Sequence, residues 1–245
     1  PDSFKGSMTA KEVALVMEKA VKKVFPKSLC KLMPFSDGGE GALKVLKNHS
    51  DGKIKKCLAT DALSRPIEAS YFYSKNQKSA WIELSQTAGL TGLKTKELNP
   101  LITSTWGTGK MIISALEHGC NKIYLGIGGS ATHDFGCGIV SALKGQFFDK
   151  KNKKLPPGGG AISQLNHIDL SRMDARVSNT EWIIACDVEN QLLGKKGAAV
   201  TYAHQKGASV EMINQLELAG NQFAKVIKSQ YGVDIRKIKG GGSAG

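Results

Sequence analysis

The sequence predicts an α/β protein, and three observations carry that reading. The first sixty residues alternate helical and extended signals. The stretch that follows reads as short strands divided by turn residues. Near residue 122 an apolar strand runs directly into a glycine-rich turn ahead of another helical pattern. Strands alternating with helices are the signature of layered α/β folds.

The elements follow in order. Thr9-x-x-Glu12 is a capping box, and the stripe Val13, Val16, Met17, Ala20, Val21, Val24 continues it until Pro26, predicting a helix over about 10–25. An extended run at 31–35 leads into Ser36-Asp-Gly-Gly-Glu-Gly41, and Ala42, Leu43, Val45 and Leu46 begin a second helix. Ile54–Thr60, Ile67–Tyr73 and Ala80–Leu84 are strand candidates whose short connections favour antiparallel pairing. A boundary near residue 60 follows from this change of rhythm. A helix is expected over roughly 104–118, stopped by Gly119, then a strand at 122–127, a helix reaching Lys144, and a strand at 146–149. Residues 182–188 read as a buried strand and 208–229 as a helix.

Composition narrows the function. The 245 residues hold 34 Lys+Arg against 21 Asp+Glu, a net charge of +13. Only four of the basic residues are Arg (Arg65, Arg172, Arg176, Arg236), and aromatic residues do not interleave with the lysines. Arginine is the usual reader of base edges, so this pattern argues against nucleic-acid binding, and an anionic small substrate explains the charge as well. No stretch approaches the ~18 apolar residues of a membrane span, and no secretion leader opens the sequence. The five cysteines are odd in number and form no CxxC pair, so reduced thiols in the cytoplasm are expected.

The 28 glycines cluster at 38–41, 107–109, 126–138 and 240–245, and all but the last cluster stand near a predicted helix start. Free backbone N–H groups there, approached closely across glycine, make anion sites. Of three standard phosphate motifs, two are absent and one is present in half. Walker A fails, because Gly107-Thr-Gly-Lys110 has Ser104 in place of the first Gly and Met111 in place of Ser or Thr. The protein-kinase set fails for want of His-Arg-Asp and Asp-Phe-Gly. The dinucleotide fingerprint half passes: Gly126-x-Gly128-x-x-Ala131 follows a strand, and Asp149 ends the next strand candidate. An NAD-dependent oxidoreductase is therefore the alternative reading, although the hydroxyls and the carboxylate of Ser130, Thr132 and Asp134 suit phosphates and Mg²⁺ better. Asp2, Asp37, Glu40, Asp134 and Asp187 are the candidate acids. Asp187 follows a strand, where α/β proteins place ligands, and could hold Mg²⁺, take a proton from a hydroxyl, or simply cap the next turn. Lys5, just ahead of the capped helix, is either a mobile cation for an anion or a surface lysine.

The motifs Asp2-Ser-Phe-Lys-Gly-Ser7, Ser36-Asp-Gly-Gly-Glu-Gly41, Thr103-Ser-Thr-Trp-Gly-Thr-Gly109, Gly126-Ile-Gly-Gly-Ser-Ala-Thr132, Ala185-Cys-Asp-Val188 and Gln205-Lys-Gly-Ala208 stand in one order along the chain. In that order the sequence resembles the bacterial type I glycerate kinases over its whole length. The resemblance implies ATP- and Mg²⁺-dependent phosphorylation of D-glycerate, the 2-phosphate being favoured over the 3-phosphate. It implies two domains: a Rossmann-like parallel-sheet domain with a second mixed α/β domain inserted into it. Residues 1–60 would open the first, 61–238 would form the insertion, and 239–245 would return toward the first, whose initial strand and C-terminal part are expected to be missing from this chain. By the same resemblance Lys5 and Asp187 are expected to be catalytic, with Asp187 also the candidate Mg²⁺ ligand. Ser3, Lys5, Asp37, Gly38, Gly39 and Glu40 are expected at the substrate, and Gly128, Gly129, Ser130, Thr132 and Asp134 at the nucleotide. The two loops could exchange these roles. The implied partners are small molecules, without nucleic acid or membrane. His133, Phe135, Gln191 and Ala203-His204 depart from the family pattern. Phe135 stands where Gly is usual, and its Cβ and ring are expected to narrow the loop and restrict its φ.

Overall fold

The computed structural model describes Phe4, residues 7–33 and residues 41–245. Helix α1 (Ala10–Val24) starts as the capping box dictates: Thr9 Oγ1 accepts from the Glu12 N–H, and Glu12 Oε2 accepts from the Thr9 N–H at 2.7 Å. It buries Ala10, Val13 and Ala14 but leaves Val16, Met17 and Val24 exposed. Helix α2 (Ala42–His49) follows Gly41, whose φ of +97° is open to glycine at little cost. Residues 28–33 join no strand.

Strands β1 (Lys53–Thr60), β2 (Pro66–Ser74) and β3 (Ser79–Glu83) form the expected antiparallel meander. The β1–β2 turn is held by the Asp61 carboxylate, which accepts the N–H groups of Leu63 and Arg65 at 2.9 Å. After the short helix α3 (Ser85–Ala88) and helix α4 (Trp106–Glu117), strand β4 (Lys122–Gly126) pairs with β3 in parallel. Helix α5 (Cys137–Ala142) leads to β5 (Gln146–Phe148) and β6 (His167–Asp169), which pair with each other outside the main sheet. Strand β7 (Glu181–Ala185) then pairs in parallel with β4, giving the order β1-β2-β3-β4-β7. Helices α6 (Ala198–Tyr202) and α7 (Val210–Tyr231) complete the regular elements before the C-terminal segment.

The main core lies between α4 and the sheet, where Met111, Ile112 and Ala115 meet Tyr71, Ile82 and Ile123, all at or near zero exposure. A second core joins α5, β5 and β6 to α7 through Phe147, Ile168, Ala219 and Val226. Glycine governs how closely α4 approaches its neighbours. A Cβ on Gly107 would stand 1.9 Å from the Thr60 carbonyl oxygen, and one on Gly109 would stand 2.5 Å from Ala142 Cβ. The glycines of the 107–109 cluster thus serve helix packing, and Lys110 points to solvent.

Two expectations need correction. The 182–188 run is not a buried strand: β7 spans Glu181–Ala185 at the end of the sheet order, and Ile184 is 51 % exposed. Trp182 packs on the main core and Ile183 is half-buried, but Ile184, at the outer end of the sheet order, is left to solvent. Asp149 does not end a strand beside β4. The strand before it belongs to the small sheet, and its carboxylate caps its own turn by accepting the Lys151 and Lys153 N–H groups. A ribose-binding acid must follow the strand adjacent to the glycine turn. The oxidoreductase reading loses its second half on this point.

Candidate functional site

Three parallel strands end in one row. The register sets Glu83, Gly126 and Ala185 side by side, so the segments after β3, β4 and β7 leave the same edge of the sheet. The carboxyl edge of a parallel sheet is where open α/β folds hold ligands. The start of α2 reaches this edge too: the Leu43 N–H donates to Glu83 Oε1 at 2.7 Å. The exit of the Ser36–Gly41 motif is thereby anchored beside the turn after β4.

That turn is held from one side and open on the other. The Leu90 N–H donates to the Gly129 carbonyl at 2.9 Å, and the Ala131 N–H donates to the Ala88 carbonyl at 2.7 Å. Gly129 takes φ +70°, a left-handed value that glycine adopts without strain. Among the described residues the N–H groups of Gly128, Gly129 and Ser130 have no protein acceptor, and Gly128 and Gly129 are exposed. Successive free amides around a left-handed residue form a concave nest for an anion.

Asp134 lies beneath this turn, fully buried. Its carboxylate accepts from the Thr105 N–H at 2.8 Å, the Gly138 N–H at 3.1 Å and the Gly136 N–H at 3.3 Å, and from the Ser104 and Thr105 hydroxyls. Burial pushes its carboxyl upward while these donors pull the other way. Both oxygens are committed to joining the first turns of α4 and α5. Asp134 therefore shapes the loop through the protein's own groups. Gly138 has no room for a side chain, since a Cβ would stand 2.7 Å from Asp134 Oδ2.

Lys206 is the residue that sequence reasoning missed. It enters from the short turn His204–Lys206, and Gly207 at φ +87° closes that turn. Its ammonium is buried and donates to Ser130 Oγ at 2.8 Å and to the Thr132 and Ala244 carbonyls at 2.6 Å each. Burial pulls this ammonium down to about 7, partly opposed by the charge of Asp134. The motif Gln205-Lys-Gly-Ala208 was visible in the sequence, but nothing local said that its lysine points inward. The hydroxyl of Ser130, an expected nucleotide contact, is engaged with Lys206 and Ala244. Thr132 is buried and faces a cavity of about 360 Å³. Leu84, Ile127, Phe135, Phe223 and Ile238 give this cavity apolar walls, with Gly240, Gly241 and Gly245 on one side.

Asp187 lies two residues beyond β7 and is exposed; among the described residues it carries no hydrogen bond or ion pair. Its loop is tied to the C-terminal segment, since the Gly242 N–H donates to the Asn190 carbonyl at 2.9 Å. The same segment meets the glycine turn, where the Phe135 N–H donates to the Gly245 carbonyl at 3.2 Å. The structure thus gathers the Asp187 loop, the 126–136 turn and residues 240–245 at one sheet edge. Ser3, Lys5, Asp37, Gly38, Gly39 and Glu40 lie outside the described residues. No group of three or more metal-ligating side chains occurs among the described residues.

The sequence profile of the Glycerate kinase family matches residues 1–245. The chain belongs to the glycerate kinase family. It is 40 % identical to the glycerate kinase of Bacillus subtilis (strain 168) and 38 % identical to the glycerate 2-kinase of Escherichia coli (strain K12), each over 245 residues. All of this chain aligns in both comparisons, and it spans 64 % of the length of these relatives. A crystal structure assigned to a glycerate kinase 2 from Salmonella typhimurium LT2 superposes with a TM-score of 0.87 at 38 % identity, covering 100 % of this chain and 66 % of that one.

In this glycerate kinase family chain Phe135 does take a restricted backbone, with φ +56°. Its ring stacks on Phe223 at 5.3 Å between centroids and meets His133 edge-on at 5.0 Å. The aromatic contacts offset the left-handed strain that a glycine would not incur.

Proposed function

We propose that this protein transfers the terminal phosphoryl group of ATP to D-glycerate. One observation carries the reading: the aligned ends of β3, β4 and β7 bring the free amides of Gly128, Gly129 and Ser130 and the free carboxylate of Asp187 to the same edge. Phosphoryl transfer depends on positioning and on neutralising charge, and a nest of amides beside an exposed carboxylate supplies the elements of both. In this reading the nest receives the nucleotide phosphates. The adjoining cavity of about 360 Å³ falls within the usual range of small-molecule sites, and its apolar walls suit a planar heterocycle. Thr132 lines that cavity, and Asp134 holds the loop in shape.

Asp187 is the proposed base for the attacking hydroxyl of glycerate. The second role open to it is to bind Mg²⁺. Mg²⁺ is commonly bound by one or two carboxylates together with substrate phosphates, so a single exposed aspartate beside a phosphate nest fits that chemistry. When bound, Mg²⁺ would neutralise charge on the phosphates. Lys5 and Ser3, with Asp37, Gly38, Gly39 and Glu40, are proposed to hold the glycerate anion. The anchoring of Leu43 to Glu83 supports this, because it ties the chain just after that motif to the same edge.

The proposed domain division is 1–60 with 239–245 in a Rossmann-like unit and 61–238 as the inserted mixed α/β unit. The apolar residues that α1 leaves uncovered, Val16, Met17 and Val24, support it. No helix among the described residues is long and apolar enough to cross a membrane. The five unpaired cysteines are in keeping with a reducing cytoplasm as the proposed compartment.

A coupled ADP-release assay with D-glycerate on the intact protein tests the activity, and phosphorus NMR of the product decides between the 2-phosphate, which we favour, and the 3-phosphate. Absence of glycerate-dependent ADP release would overturn the reading.

A further inference from the structure

Lys206 is a buried ammonium that touches no carboxylate among the described residues. Its three donors go to three oxygens, and these belong to two separate segments: Ser130 and Thr132 in the glycine turn, and Ala244 in the C-terminal run. Ser130 completes the triangle, because its hydroxyl also donates to the Ala244 carbonyl at 3.2 Å. Leaving a buried ammonium unpaired is costly, whereas one fully bonded to oxygens fixes the groups around it. Its own backbone is fixed as well, since Gly207 lies so close to Leu98 that a Cβ there would stand 2.4 Å from the Leu98 carbonyl oxygen.

The bonds are placed where they can set the shape of the nest. The Thr132 carbonyl is drawn inward to Lys206, while Gly128 and Gly129, whose amides have no protein acceptor among the described residues, form the exposed part of the same turn. From the opposite flank, the Ala88 and Leu90 backbone groups hold Ala131 and Gly129. The turn is therefore gripped between the α3 region and Lys206, and the grip reaches residues 240–245, which also bond to the Asp187 loop through Gly242 and Ser243.

We propose that Lys206 is a positioning residue: its ammonium acts as an internal cation that locks the 128–132 turn to the 240–245 segment and holds the amide nest in its anion-binding form. This rests on the reading of that turn as the phosphate site. Lys206 stands behind the turn and touches no open surface, so its removal acts on phosphate affinity before it acts on the chemical step. A charged hydrogen-bond donor removed from a buried network weakens what it supports by roughly tenfold to a hundredfold.

The test, run at pH 6 where the folded protein keeps the Lys206 proton, compares the intact wild-type protein with Lys206→Met, which keeps the stem and loses the ammonium, and with Lys206→Ala in the presence and absence of n-propylammonium. Two readouts are used: hydrogen–deuterium exchange at residues 126–133 and 240–245 without ligand, and Mg·ATP binding by calorimetry alongside KM and kcat. Lys206→Met should raise exchange at both segments together and raise Kd and KM for Mg·ATP by about tenfold or more, with kcat changed much less. Propylammonium should restore part of the affinity to Lys206→Ala. Unchanged exchange in Lys206→Met overturns the clamp whether or not nucleotide binds. Failure of the wild type to bind Mg·ATP would instead overturn the phosphate-site reading, and the exchange comparison would still judge the clamp. Should Lys206→Met not fold, Ser130→Ala, which removes one of the three acceptors, replaces it in the exchange measurement.

Discussion

Replacing Asp134 by Ala removes the acceptor on which the first turns of α4 and α5 converge. The Ser104 and Thr105 hydroxyls can rotate to other partners, but the backbone N–H groups of Thr105 and Gly138, at 2.8 and 3.1 Å from Oδ2, cannot. Both residues are buried, and Ser104 and Trp106 already crowd Gly138. Each buried N–H left without an acceptor costs ~1–3 kcal/mol, so Asp134→Ala should lose about 2–6 kcal/mol of stability. That is a large share of the ~5–15 kcal/mol typical of a folded domain. Asp134→Asn keeps one carbonyl oxygen but turns an amide N–H toward a donor, so its loss should be about half as large. Urea unfolding followed by tryptophan fluorescence measures both, since Trp106 adjoins Thr105 at the start of α4. The expected order of stability is wild type, then Asn, then Ala. A loss below about 1 kcal/mol for Ala, or an Asn variant less stable than Ala, would refute this account of the carboxylate.

Three further outcomes are expected. Asp187→Asn should lower kcat by about 10²–10⁴-fold if Asp187 is the base, with an unchanged melting temperature, because the side chain is exposed and bonded to nothing among the described residues; steady-state kinetics beside calorimetry separates the two effects. Phe135→Ala should be less stable than Phe135→Gly by about 1–2 kcal/mol, because both lose the stack on Phe223 but only alanine retains a Cβ at φ +56°; equal unfolding midpoints would contradict this. The stability of the wild type relative to Lys206→Met should rise with pH between about 7 and 10.5, because in that window the unfolded chain keeps the lysine proton while the folded chain has released it. Of the ionisable groups facing Lys206, the charge of Asp134 opposes the downward shift, and His133 stays neutral because burial pulls its ring down to about 3. Urea unfolding of the two proteins at pH 6 and pH 9 reads the difference, and parallel pH dependences would sink it.

Much of the local structure was legible because its causes are local. The capping box at Thr9 and Glu12 starts α1, Gly119 at positive φ follows α4, and short runs divided by turn residues marked β1, β2 and β3. These signals act over a few residues, where sequence spacing and spatial spacing are the same thing. The motif order likewise carried the family resemblance without any coordinates. The glycine clusters were harder to read. Glycine at 128–129 leaves an open nest, whereas at 107 and 109 it lets helix α4 press against Thr60 and Ala142. Composition is the same in both cases, and only the neighbour across the gap distinguishes them.

The sequence by itself therefore determined the main helices α1, α2, α4 and α7, the β1–β3 meander and β4, the resemblance to the glycerate kinase family, and the residue types available for binding an anion, but it did not mark α3, β6 or α6. Tertiary structure decided which of them meet. Strand β5 left the main sheet and took Asp149 away from the glycine turn, while the parallel register of β3, β4 and β7 aligned Glu83, Gly126 and Ala185. Lys206 joined Ser130 across 76 positions and Thr132 across 74. Such partners are chosen by sheet order and by the cost of burying a charge, and neither is written in the few residues around a lysine.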